Sequence, residues 1–218
     1  MKQLILVAFS VFTVLSTTGV FAAERSAIDS DTGAGACFCR KNVLNNVPSA
    51  KLLDLNEAQD RFLTIITDDQ RSVEEQAEQA ISKLRYIWND SLYILLMQEY
   101  KSLLKNIKFA GLKYDMQSGV CGDLFSSKDC GYEQIARYED GTLYIDPLAL
   151  GLRLSNTNVA ALLVHTALYA VDKKLTNAKD SKFTRFVVGE LFAADARDRN
   201  NDYINHVGMH FKEALSEI

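Results

Sequence analysis

The stretch that decides the fold runs Val159-Ala160-Ala161-Leu162-Leu163-Val164-His165-Thr166-Ala167-Leu168-Tyr169-Ala170-Val171. Apart from the tyrosine hydroxyl, its only polar side chains are His165 and Thr166. A helix that is apolar on every side has no face to offer to water, so this pattern predicts a buried central helix. Ser155, Asn156 and Thr157 precede it, and short polar side chains there can accept from amides that the first helical turn leaves open.

On either side of this helix the chain reads as an α+β protein: a predominantly helical domain with a small antiparallel β-hairpin or sheet. Gln134 to Tyr138 and Thr142 to Asp146 are β-prone runs around Glu139-Asp140-Gly141, and an Asp-Gly turn between such runs signals a hairpin. Ile107 to Tyr114 reads as a further strand and Asp115 to Gly131 as a loop. Towards the C-terminus, Asp180-Ser181 starts a helix through Phe186 and Leu191, and Asn200-Asn201-Asp202 starts a last one through Ile204, Val207, Phe211 and Leu215. In the first half, apolar residues recur at helical spacing from Ala50 to about Thr67, from Val73 to Trp88 and from Asp90 to Leu104. Ser72-Val73-Glu74-Glu75 has the form of a capping box, with an acid three residues after the cap.

Composition narrows the class. The 218 residues are 48% hydrophobic and 24% charged, with a formal net charge of −4, 11 Gly and 2 Pro. Long disorder needs lower hydrophobicity and higher net charge, and nucleic-acid binding by field alone needs a basic surface, so no nucleic-acid partner is expected. Residues 1–23 have the layout of a secretory signal peptide: Lys2, an apolar run from Leu4 to Leu15, then small residues at Ala22 and Ala23. Export to the periplasm or the medium is the expectation, with a lead-in over 24–47, one domain over 48–218, and no transmembrane segment once the signal is removed.

Export also sets how the cysteines read. An even number of them, Cys37, Cys39, Cys121 and Cys130, suggests disulfides in an oxidising compartment. One residue separates Cys37 from Cys39, which makes a mutual bridge awkward. The reading is therefore two bridges from the Cys37/Cys39 segment to Cys121 and Cys130, in either order, each closing a loop worth up to ~4–5 kcal/mol in the chain-entropy model.

The candidate chemistry centres on His165. A buried imidazole needs a partner such as a Tyr, an Asp or the backbone, since burying it unpaired is costly. His165 and Tyr169 lie at i and i+4 and share one helix face. This segment resembles the zincin metallopeptidases, whose buried helix carries His-Glu-x-x-His, with two zinc-binding histidines and a Glu general base. His165 matches the first histidine, Thr166 stands at the Glu and Tyr169 at the second histidine. Glu190, in Gly189-Glu190-Leu191-Phe192-Ala193-Ala194-Asp195, matches the third, carboxylate ligand. The stretch is also similar to exported bacterial proteins in which His-Glu-Ala-Leu-Tyr precedes a helix starting Ser-x-x-x-Arg; Ser181 and Arg185 match that start. The resemblance covers about Leu143 to Ala196.

The departures shape what the resemblance implies. Thr166 has no group that titrates near neutrality, so it cannot take a proton from a metal-bound water. A tyrosine is a poor metal ligand until it loses a proton with a reference pKa of ~10. The implied protein is a zincin-like scaffold without its catalytic signature: a non-catalytic binder of a partner protein or cell-envelope component, needing no cofactor. His165, Thr166, Tyr169 and Glu190 would then be an inherited site. The alternative is a zinc-dependent hydrolase with an unusual ligand set, His165 with Glu190, or with His206 and His210, which are spaced to chelate from one helix face. No nucleophile elbow, P-loop or dinucleotide fingerprint is present.

Overall fold

A computed structural model describes residues 34–39, 50–62, 66, 70–87, 90–112, 130–147, 154–194, 208–212 and 215. In chain order its elements are β1 (Gly35–Cys39), β2 (Ala50–Leu52), α1 (Leu53–Phe62), α2 (Val73–Ile87), α3 (Asp90–Leu103), β3 (Ile107–Phe109), β4 (Cys130–Gln134), β5 (Ala136–Glu139), β6 (Thr142–Ile145), α4 (Asn156–Thr176) and α5 (Lys182–Leu191). Residues 208–212 are also helical. The architecture is α+β, as the sequence pattern indicates.

α4 is the axis of the domain. Every residue from Ala160 to Asp172 is buried, and the helix packs against α2, α3, α5 and β2. Its ends are satisfied locally. The Ser155 side chain accepts from the Asn158 amide at the N-terminus, and Asn177 closes the C-terminus in the left-handed region at φ 58°, with its amide on the Lys173 carbonyl. A short polar residue tolerates that conformation far better than a β-branched one. The amphipathic helices cover α4 with their apolar faces: Ala77, Ala80, Ile81 and Leu84 from α2, and Leu92, Leu96, Tyr100 and Leu103 from α3. Each fully buried leucine removes apolar area worth ~1.5–3 kcal/mol from water. The capping box ahead of α2 is formed, with Ser72 N donating to Glu75 Oε2 at 3.0 Å and Glu75 N donating to Ser72 Oγ at 3.2 Å.

Among the described residues two three-stranded sheets flank the helices, in the orders β2-β1-β4 and β3-β6-β5. The first is antiparallel; in the second β3 runs parallel to β6 and β5 antiparallel to it. A single residue, Ile135, separates β4 from β5, and the Ala34 carbonyl accepts from both Ile135 N and Ala136 N at 3.1 Å. The expected hairpin is there as β5–β6, with Glu139 opposite Thr142 and a two-residue turn at Asp140-Gly141.

The sheets also hold the departures from the sequence reading. β1 falls within the segment read as lead-in, yet it is the middle strand of its sheet, with Ala36, Cys37 and Phe38 buried. Ala50–Leu52 forms β2 where the apolar spacing suggests the start of a helix. β3 is only three residues long. Each of these strands owes its place to partners distant in sequence, which local periodicity does not register. Most of the expected 115–131 loop, and the expected signal peptide, lie outside the described residues.

Candidate functional site

The residues at issue are carried by three helices. α4 presents His165, Thr166, Tyr169 and Asp172; α1 presents Asp54; α5 presents Glu190. α1 begins directly after β2, so Asp54 falls in its first turn. A carboxylate is favoured there by the open amides and dipole of the helix start. α5 can lie close against α1 because Gly189 has no side chain. A Cβ built there would stand 2.7 Å from Ala58 Cβ and 3.2 Å from the Asp54 carbonyl oxygen.

His165 is 2% exposed, and its Nδ1 lies 2.6 Å from Asp54 Oδ2. Asp54 is itself 1% exposed, and its Oδ1 has no hydrogen-bond partner among the described residues. The pair bolts α1 to α4 through the core. A histidine held at Nδ1 by a carboxylate has the tautomer and orientation that enzymes give to a general base. A base must also reach the proton it takes, and an imidazole buried to this depth offers a solute almost no surface.

The companions suggested by the zincin resemblance are all buried. Thr166 is buried and its Oγ1 donates to the Leu162 carbonyl at 3.0 Å, one turn back. Tyr169 and Glu190 are 2% and 5% exposed. Among the described residues no group of three or more His, Cys, Asp or Glu is arranged to hold a metal ion. His206 lies outside the described residues. His210 does not join His165; its Nε2 sits 2.8 Å from Asp172 Oδ1, and its ring stacks on Phe183 with centroids 3.6 Å apart. The Ser181 and Arg185 motif closes on itself, with Arg185 Nη1 donating to Ser181 Oγ at 3.2 Å and Nε donating to Glu57 Oε2 at 3.0 Å.

Two partners escaped the sequence reading, Asp54 and Asp172, together with Asn158. On α4 the residues Asn158, His165 and Asp172 recur every seven positions, which keeps them on one side of the helix about 10 Å apart. Each engages a different neighbour. Asn158 Oδ1 accepts from Leu52 N of β2 at 2.6 Å, His165 meets Asp54 of α1, and Asp172 meets His210 near the C-terminus. The available signal was a polar residue inside an apolar run, as in Leu52-Leu53-Asp54-Leu55. The spacing of seven is visible in the sequence too, but what it faces is not.

The hollow between α3 and the last turns of α4, about 310 Å³ and lined by Leu95, Glu99, Val171 and Lys174 among others, does not include His165. Glu99 of its lining is paired twice: it accepts from Tyr138 Oη at Oε1, 3.0 Å away, and pairs with Lys174 at Oε2. Burial and the neighbouring Glu99 carboxylate push the Tyr138 hydroxyl up to about 12. No helix among the described residues is long and apolar enough to cross a membrane. No family model matches the chain, and neither does any curated protein or solved structure.

Proposed function

We propose that the chain is an exported, disulfide-stapled binding protein that uses a zincin-like scaffold without hydrolytic chemistry, its partner being another protein or a cell-envelope component. The observation that carries this reading is the His165–Asp54 pair, 2.6 Å apart with both residues at most 2% exposed. The carboxylate holds the imidazole by Nδ1 in the contact between α1 and α4, and the burial of both side chains leaves almost no surface for a substrate. Thr166, at the position of the general base, is committed to its own helix.

Zinc content tests the reading directly. Purified mature protein should carry well under one equivalent, with His165→Ala leaving that content unchanged. A tightly bound equivalent lost in His165→Ala, together with ester or peptide turnover lost in the same variant, would establish the metal-dependent hydrolase instead.

The stapling is open to peptide mapping. Cys37 is disulfide-bonded. In the β1–β4 ladder Cys39 is registered against Cys130, while Cys37 is registered against Tyr132. Directly opposed strand residues have Cα atoms ~4.5–5.5 Å apart, inside the range that disulfides span, whereas diagonal neighbours at ~7–8 Å fall outside it. This register supports Cys39–Cys130 and, by elimination, Cys37–Cys121. Non-reduced digestion should return those two linked peptides; Cys37–Cys130 would overturn the assignment.

A further inference from the structure

We propose that Asp140-Gly141, at the tip of the β5–β6 hairpin, is a site of spontaneous aspartate isomerisation. The chain contains one Asp-Gly dipeptide and no Asn-Gly, and both residues of it are exposed. They form the two-residue turn, with φ 48° at Asp140 and φ 76° at Gly141. Such primed turns need positive φ at both positions, which is why Asp-Gly is favoured there.

Three features select this bond over the other aspartyl bonds of the chain. A glycine on the C-terminal side offers its amide nitrogen without a side chain to obstruct attack. Among the described residues nothing lies within 4 Å of a Cβ built on Gly141, so their packing does not resist local opening of the turn. The strand ladder closes at Glu139 and Thr142, which leaves the Gly141 amide outside it. Four of the other described aspartates sit under firmer restraint: Asp54 and Asp172 in the core, Asp180 accepting from the Lys182 amide, and Asp146 accepting from the Leu112 amide.

The chemistry balances without any co-reactant but water. The Gly141 nitrogen attacks Cγ of the protonated Asp140 carboxyl; the N–Cγ bond forms, the Cγ–OH bond breaks, and water leaves with the amide proton. The product is a five-membered succinimide. Water then adds to one of its two carbonyls. Addition at Cγ restores aspartate, and addition at the backbone carbonyl leaves isoaspartate, with the main chain running through Cβ and Cγ. The isomer has unchanged mass and one extra backbone carbon in the turn. Since a turn sets the register of its hairpin, the pairing of Glu139 with Thr142 is the first to break.

The test ages the intact, folded chain at neutral pH and physiological temperature, digests it, and assays each peptide with an isoaspartate-directed carboxyl methyltransferase and by chromatography. The peptide spanning Asp140-Gly141 should become the dominant methyl acceptor, as a new peak of unchanged mass. Asp140→Glu, which would need a less favourable six-membered ring, should abolish that acceptance, and Gly141→Ala should slow it several-fold. Asp140→Asn keeps a residue suited to the turn and should convert faster, with the mass gain of an amide becoming an acid. The proposal fails if the aged folded protein shows no acceptance in this peptide while the unfolded chain does, or if other aspartyl bonds dominate.

Discussion

Two histidine–aspartate pairs hang from the same side of α4, and they differ in depth. At His165–Asp54 both side chains are essentially dry, 3% and 0% exposed; at His210–Asp172 the carboxylate is 1% exposed but the imidazole is 30% exposed. The inner pair closes the contact between α1 and α4. The outer one fastens the C-terminal helical segment, sharing Asp172 Oδ1 with the Thr176 hydroxyl at 2.7 Å. The same two residue types thus do one job under two dielectric regimes. What differs is the cost of disruption: removing the partner of a buried carboxylate strands a charge that water cannot reach.

The largest effect should come from breaking the inner pair on one side. His165→Leu leaves the Asp54 carboxylate buried without its partner, and a loss of ~3–5 kcal/mol is expected in denaturant unfolding. Combined with Asp54→Leu, the loss should shrink to near zero or reverse. If the two single losses simply add, the residues are not coupled and the pair does not act as a unit.

Next comes the spacing that holds the inner pair together. Gly189→Ala forces α5 away from Ala58 and the Asp54 carbonyl, an overpacking cost of ~1–3 kcal/mol. Because Asp54 moves with α1, this change should weaken the benefit of the His165–Asp54 contact in a double-mutant cycle while leaving that of His210–Asp172 intact. Equal weakening of both would show that the pairs are not independent.

The outer pair should give a smaller loss than the inner one. His210→Ala removes a hydrogen bond to a charged group, worth ~1.5–3 kcal/mol, with Thr176 still donating to Asp172 and water able to enter. Hydrogen exchange should quicken in residues 208–212 and not in α1. An outer loss larger than the inner one would invert the comparison of depth.

Much of this arrangement is legible in the amino-acid order. The all-apolar run around His165, the caps at Ser72 and Ser155 and the Asp-Gly turn each carry their signal within a few residues, because helix burial, capping and turn geometry are local. His165 stands out for the same reason, as an imidazole in an apolar helix that must find a partner. The partner itself, Asp54, lies 111 positions away, and no spacing rule spans that gap. β1 and β2 were hidden on the same account. Their strands are short, and their stability comes from pairing with each other and with β4 rather than from their own pattern.

The order of side chains along one helix was enough to dictate that α4 is buried, where it starts, and that a single imidazole is trapped inside it. These follow from polarity and capping, which act within a few turns. Which carboxylate answers that imidazole, how deep each pair sits and which strand lies beside Cys39 were settled in three dimensions alone. Those are outcomes of packing distant segments together, where one small residue at 189 sets how near two helices can come.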